Sequence, residues 1–300
     1  MGGKASLVVA TDPGTVLPGL RRPATLEGVA VAGEPVLTPE ETARRVKRAV
    51  IHVGAAFGHE AAFADAGQRF GLDRWAFYFG ARAGVLGPVD ADVVVAACGF
   101  FAPALVRPAW DSALSAASPG ELVAEDVGLC VAWARRHLAN LPGIDRLAEL
   151  AGRVVEAAEV SGRPLFAAWR ALPDPAADPA ARAGLALLRL REHRGSGHLL
   201  AVAAEGLTPL EAILAGPGPA KAAANGWQPP YPPPGDAAQL LAAERRTGEL
   251  AGVPYACLDT GERKELVDLA QAAYEHQNRI SYAVSPSGVS PQGCYGRKAR

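Results

Sequence analysis

Residues 38–57 read TPEETARRVKRAVIHVGAAF, and this stretch carries the signals that decide the fold. Thr38 offers a hydroxyl for an N-cap, Pro39 occupies the first helical position, and Glu41 stands at the third. A proline at that position loses no hydrogen bond, because the first N–H groups of a helix have no intrahelical acceptor. Apolar residues then recur with a helical period. The stretch predicts a capped amphipathic helix.

The same order of hydroxyl, proline and glutamate occurs twice more, at 118–121 and at 208–211. Helices are therefore predicted to begin near residues 38, 118 and 208. Further helical patterns cover 121–139, 145–160, 182–194, 237–251 and 261–280. The apolar segment 91–107 is predicted to be a buried helix, with a buried strand as the open alternative. The predicted fold class is mainly α.

Breaks in the helical pattern divide the chain into four predicted parts. These are an extended arm at 1–37 with a short strand at SLVVA, a helical domain at 38–172, a second helical region at 181–283, and a disordered tail at 284–300. A proline-containing loop at 173–180 separates the two helical parts. Within the second part, residues 216–236 read GPGPAKAAANGWQPPYPPPGD and show no amphipathic period.

Composition and charge argue against several classes of protein. The formal net charge is −1, so no overall field attracts nucleic acid or an anionic membrane. No apolar run approaches the ~18 residues of a membrane span, and the first residues do not form a signal peptide. The four cysteines lack CxxC pairing, as expected of free thiols in a reducing compartment. We therefore expect a cytoplasmic protein that needs neither a metal nor a cofactor, since nucleotide and flavin motifs are also missing.

The densest group of ionisable residues is REHRGSGH, at 191–198, between two apolar segments. Charges in such a setting must be paired, because burying an isolated ion costs several kcal/mol. Gly195 and Gly197 are predicted to interrupt the helix and to leave free N–H groups that could hold an anion. Three roles stay open for this segment: contact with a substrate, a structural salt-bridge corner, or a metal site. The spacing of His193 and His198 differs from that of HExxH enzymes.

Other candidate positions lie outside this segment. His52, near the end of the first helix, is either a core histidine or a functional one. Arg82 follows Tyr78 in an aromatic stretch and needs a partner, which an anionic ligand could provide. Glu244 and Arg246 belong to a charged run that is either a solvated helix face or part of the site.

These segments together resemble an uncharacterised actinobacterial family with YFxxRAxxLG, REHRGxGH and ExRTDxLAxxPW segments. Here they correspond to 78–87, 191–198 and 244–258, and His52 matches a histidine that the family places ahead of the first segment. The resemblance covers 40–280. It implies a degenerate winged-helix-like C-terminal half without a recognition helix, because only Gly226-Trp227 remains before the proline-rich stretch. Gly248 stands where the family usually has Asp.

The chain is also similar in type to the subunits that form the aziridine or azabicycle of azinomycin-type antibiotics, which work as dissimilar pairs. This likeness implies antibiotic biosynthesis by a lyase. It also implies a homodimer or a heterodimer with a paralogous subunit, with 228–235 as a candidate contact.

We expect from these residues a cofactor-independent enzyme of specialised metabolism that acts on a small charged substrate. The expected reaction is intramolecular ring closure with loss of a sulfate-like group. The catalytic candidates are His193, Glu192 and His52. The substrate-binding candidates are Arg82, Arg191, Arg194, His198, Tyr78, Arg246 and Glu244. The alternative is a non-catalytic small-molecule-binding protein, or a regulator that has lost DNA binding; neither interpretation includes nucleic acid or a membrane as a partner.

Overall fold

A computed structural model describes residues 37–174 and 178–284, the last four by their backbone alone. This part of the chain is mainly α, as predicted, and contains no strand. Its α-helices are α1 (Pro39–His52), α2 (Ala61–Arg69), α3 (Arg74–Ala83), α4 (Ala91–Ala97), α5 (Pro103–Ala116), α6 (Pro119–Leu138), α7 (Ile144–Ala157), α8 (Pro164–Ala171), α9 (Pro179–Ala204), α10 (Pro209–Ala215), α11 (Pro219–Ala224), α12 (Ala237–Gly252) and α13 (Thr260–Val284). The predicted arm and tail lie outside the described residues, except for Leu37 and Val284.

The three predicted helix starts are confirmed. Thr38, Ser118 and Thr208 each accept a hydrogen bond from the backbone N–H three residues later, and a proline follows each of them. The backbone N–H groups of Ser118 and Thr208 also donate to the side chains of Glu121 and Glu211, which completes the capping box. At α1 the carboxylate of Glu41 instead binds Arg45 at 2.8 Å and Arg44. Local hydrogen-bond chemistry thus fixes where these helices begin.

The prediction of one continuous helix at 91–107 is wrong. The segment forms the whole of α4 and the start of α5, with a turn at 98–102 between them. Pro103 begins α5 at its first turn, where a proline is tolerated. The N–H of Ala102, just before it, donates to the carbonyl of Asn225 at 2.9 Å. The turn therefore connects this segment to the C-terminal half.

The predicted break at Gly195 and Gly197 is also wrong, because α9 runs through both glycines without interruption. A glycine inside a helix costs roughly 1 kcal/mol relative to alanine, which packing on several sides can offset. Helices α6, α7, α8 and α12 all contact α9. At Gly184, a Cβ would lie 2.7 Å from the Cβ of Ala134, so the missing side chain allows α6 to come close. The free N–H groups expected at 196–198 are consequently absent.

One hydrophobic core lies beneath helices on both sides of residues 173–180. Its largest fully buried side chains include Trp110, Trp169 and Phe77, and α9 contributes Leu185 and Leu187 to it. A smaller cluster around Val202 packs under α10 and α12. The central position of α9 determines the surroundings of every residue in the REHRGSGH segment.

The segment between α9 and α12 is helical but does not confirm a winged helix. It contains α10, α11 and an irregular stretch at 228–236, with no strand that could form a wing. Gly226 has a φ of 85°, and the indole of Trp227 donates to the carbonyl of Phe100 at 3.1 Å. None of the described helices alone is long and apolar enough to cross a membrane; α9 and α10 pass that test only as a pair bent by 94°.

Candidate functional site

Helix α9 distributes the residues of the REHRGSGH segment over different neighbours. Successive helical residues leave the helix axis about 100° apart, so the segment faces several neighbouring helices. Glu192 faces Arg82 of α3, His193 faces Phe166 of α8, and Arg194 faces Glu244 of α12. The predicted site residues therefore divide into two groups and several separate positions.

The first group, here called the Glu192 cluster, consists of Tyr78, Arg82, Cys98, Asp126, Arg191 and Glu192. Arg82 donates from Nε and Nη2 to the two carboxylate oxygens of Glu192, at 3.0 and 2.8 Å. Arg191 adds a third bond, from Nη1, at 2.6 Å. The Glu192 side chain is 1% exposed, so this carboxylate is buried and compensated by two arginines. The expected pairing of charges in this segment is present.

The two arginines keep Glu192 ionised. Burial raises the pKa of its carboxyl, but the charges and hydrogen bonds of Arg82 and Arg191 outweigh burial and hold the pKa below its usual value. The remaining Nη1 of Arg82 donates to the hydroxyl of Tyr78 at 3.2 Å and lies 3.6 Å from the Cys98 sulfur. Tyr78 thus lies beside Arg82.

Asp126 of α6 is a member of this cluster that the sequence analysis missed. Its side chain is buried, and no described residue donates a hydrogen bond to its carboxyl. Burial, followed by the charge of Glu192, raises the pKa of Asp126 to about 7. The available signal was a carboxylate on the apolar stripe formed by Leu122, Val123 and Cys130. The cluster therefore contains one ionised carboxylate and one carboxyl that can take up a proton near neutral pH.

The second group borders a cleft of about 510 Å³, here called the α1–α12 cleft. Helix α1 contributes Thr38, Glu40, Glu41, Ala43, Arg44 and Lys47, α9 contributes Arg194, and α12 contributes Glu244, Arg245, Gly248 and Ala251. Glu244 accepts hydrogen bonds from Lys47 at 2.8 Å and from Arg194 at 3.3 Å. Burial raises the pKa of Glu244, but Lys47 and Arg194 lower it further, so its pKa falls below the usual value. The carboxylate links α1, α9 and α12.

His198 lies next to this group, with its Nε2 3.8 Å from a carboxylate oxygen of Glu244. Its Nδ1 lies 2.9 Å from the hydroxyl oxygen of Thr247, and that hydroxyl donates to the carbonyl of Ala243 at 2.6 Å. Since the hydroxyl proton of Thr247 is already used, Nδ1 of His198 is the donor of this pair. Burial lowers the pKa of His198 to about 4, so the imidazole is neutral near pH 7.

Three candidates lie away from both groups. The ring of His193 packs against Phe166 with 4.9 Å between centroids, and the ring of His52 lies 5.4 Å from that of Tyr274. Arg246 pairs with Glu205 at 2.7 Å. Glu192, His193 and His52 are therefore not assembled around one point. Lys47, Thr247 and Cys98 were missed because contacts between distant helices give no local pattern in a sequence.

A metal site is not indicated by the described residues, which contain no group of three or more His, Cys, Asp or Glu side chains that could hold an ion. Cys98 and Cys130 are buried free thiols with raised pKa values, caused first by burial.

Residues 43–232 match a helix-turn-helix family, so the chain belongs to that family. Comparison with curated proteins finds no match. Comparison with solved structures also finds none. The matched range begins within α1 and ends before α12, so it contains the whole Glu192 cluster but only part of the cleft.

Proposed function

We propose that the protein binds a small anionic molecule in the α1–α12 cleft and acts as a ligand-responsive member of its helix-turn-helix family. The observation that carries this proposal is the concentration of Arg44, Lys47, Arg194 and Arg245 around one opening. Its volume lies within the range of roughly 300–1,000 Å³ that is typical of small-molecule sites.

The arrangement of charges supports an anionic ligand that also carries a hydrogen-bond donor. Lys47 and Arg194 both contact the carboxylate of Glu244, at 2.8 and 3.3 Å. A carboxylate, phosphate or sulfate group can approach these cations from the open side and replace part of their pairing with Glu244. Glu40 also lines the cleft and could accept a hydrogen bond from a hydroxyl or ammonium group of the same ligand.

Recognition of duplex DNA is not part of the proposal. DNA binding requires cations at the phosphates and an element that fits a groove. Helices α10 and α11 have 7 and 6 residues, and Lys221 is the only lysine or arginine between Arg194 and Arg245. This composition favours a regulator or accessory protein that responds to a ligand by another route.

The test is calorimetric titration of the full chain with a panel of small carboxylates, phosphate esters and sulfate esters. We expect at least one class to bind saturably, and Arg194→Met to weaken that binding by about tenfold or more, the effect of losing a charged hydrogen bond. Arg107→Met is the matched control, because Arg107 pairs with Asp92 outside the cleft. Equal affinity in the two variants, or no binding by any class, would overturn the proposal.

A second candidate function is catalysis at the Glu192 cluster. The observation that favours it is the contrast between the two buried carboxyls, since sites that separate the pKa values of neighbouring acids often carry out proton transfer. In this case Asp126 takes the proton of a substrate amine, and Arg82 and Arg191 hold a sulfate-like leaving group during ring closure.

Release of inorganic sulfate from amino-sulfate substrates tests this second candidate, with the chain alone and with a co-encoded paralogue. Asp126→Asn should abolish the release, whereas Arg194→Met should leave it unchanged. If neither mixture releases sulfate, the catalytic function is refuted and the binding function is unaffected.

A further inference from the structure

Arg163 is a buried arginine without a carboxylate partner among the described residues. Its side chain lies at the start of α8, where the residue as a whole is 8% exposed. Nη1 donates to the carbonyls of Ser161 at 3.2 Å and Glu159 at 3.4 Å. Nε is fully buried and has no hydrogen-bond partner, and no described residue accepts a bond from Nη2. The Nε–Nη2 edge of this guanidinium is therefore unpaired.

Comparison with the other buried arginines shows that this is unusual for the chain. Arg189 is 7% exposed and uses Nε, Nη1 and Nη2, with Asp174 as its carboxylate at 2.6 Å. Arg82 presents its Nε–Nη2 edge to the two oxygens of Glu192. That edge is the one that binds a carboxylate with two parallel hydrogen bonds. At Arg163 the same edge lacks the oxyanion that it is shaped to bind.

Other groups at this position also favour an anion. Arg163 is the N-cap of α8 but makes no side-chain cap bond, and the first N–H groups of a helix have no intrahelical acceptor. The ring of His193 packs against Phe166 in the same first turn of α8. Like Arg163, His193 is almost fully buried, at 2% exposure.

Two further charged residues lie near Arg163. Arg170 lies over the ring of Phe166, with 5.6 Å from its guanidinium carbon to the ring centroid. Glu159 is the nearby carboxylate, but it is exposed and already accepts the N–H groups of Val160 and Ser161. Burial, followed by the charge of Arg163, lowers the pKa of His193 to about 4. Arg163 and Arg170 therefore lie near a single carboxylate, that of the exposed Glu159.

We infer that Arg163, His193 and the N-terminus of α8 form a binding site for a small oxyanion, either a carboxylate or an inorganic phosphate or sulfate. Nε and Nη2 of Arg163 bind two oxygens of the anion, and the first-turn N–H groups of α8 lie on the helix end that favours negative charge. The site is separate from the α1–α12 cleft, because His193 and Arg194 leave α9 in different directions.

Titration of the full chain with acetate, inorganic phosphate and sulfate, each against sodium chloride at equal ionic strength, tests this inference. We expect saturable heat or a saturable rise in melting temperature with at least one oxyanion and not with chloride. Acetate alone would identify a carboxylate site, and phosphate or sulfate alone an inorganic oxyanion site. Arg163→Met should abolish saturation, and Arg163→Lys should weaken binding by about tenfold, because lysine keeps the charge but not the two-pronged geometry.

Arg170→Met is the matched control, since it removes a neighbouring cation but leaves the guanidinium edge of Arg163 in place. It should still bind saturably. A second readout is the NMR titration of the His193 ring, whose pKa should rise when the oxyanion is present. In Arg163→Lys this rise should need about tenfold more oxyanion, which reports on the site even if Arg163→Met does not fold. No saturable binding by any of the three oxyanions, or equal binding by the Arg163 variants and wild type, would refute the site.

Discussion

Replacing Glu192 by glutamine removes the charge that holds Arg82 and Arg191 inside the protein. The carboxylate accepts three charged hydrogen bonds, at 2.6, 2.8 and 3.0 Å, and glutamine can retain only those that reach its single carbonyl oxygen. Breaking a buried ion pair by removing one partner costs ~3–5 kcal/mol. The arginine side chains remain 16% and 22% exposed, so water can solvate them in part. We therefore expect the free energy of unfolding to fall by about 3 kcal/mol.

Urea denaturation monitored by circular dichroism measures this loss. Glu249→Gln is the control, because Glu249 is half exposed and lies 3.8 Å from Arg245, and surface pairs contribute ~0–1 kcal/mol. Adding Arg82→Met to Glu192→Gln should cost less than the sum of the two single changes, because the two side chains contact each other. A loss no larger than that of Glu249→Gln would show that the Glu192 cluster does not stabilise the fold.

Further predictions concern Asp126, two glycines of α9 and DNA binding. The pKa of Asp126 is raised from 3.8 to about 7, so the folded state binds this proton more tightly than the unfolded state. The free energy of unfolding should therefore fall as pH rises from about 4 through 7. Asp126→Asn should remove most of that dependence, as measured by urea titrations at several pH values. Gly195→Ala should raise the free energy of unfolding by about 0.5–1 kcal/mol, because a Cβ there meets nothing within 4 Å. Gly184→Ala should lower it by about 1–3 kcal/mol through overpacking against Ala134, and equal thermal melts of these two variants would contradict the packing argument. The full chain should not retard its own promoter DNA in a gel, and submicromolar, salt-dependent retardation would refute the interpretation that DNA binding has been lost.

The sequence predicted the features that depend on neighbouring residues. The starts of α1, α6 and α10 follow from a hydroxyl, a proline and a glutamate within four positions, and each was correct. The continuity of α9 through Gly195 could not be predicted in this way, because contacts with α6, α7 and α12 override the local preference of glycine.

The site could be predicted by residue type but not by arrangement. Burial of Glu192 with an arginine followed from charges between apolar segments, whereas its bond to Arg82 joins residues 110 positions apart. Asp126 was overlooked because an acidic residue next to another, Glu125, in a helix normally faces solvent. His193 was grouped with Glu192 because the two are adjacent in sequence, although in α9 the His193 ring faces Phe166 instead.

Because α9 is unbroken, one rigid helix presents Glu192, His193 and Arg194 to different neighbours. Rotation of α9 by ~10° about its axis would displace an atom ~6 Å from the axis by ~1 Å. That distance is comparable to the difference between an intact and a broken hydrogen bond. Such a rotation would change the contacts at all three positions together. Binding of a ligand at one position would then alter the contacts at the others through rotation of α9. Neither the length of the helix nor its backbone hydrogen bonds would have to change.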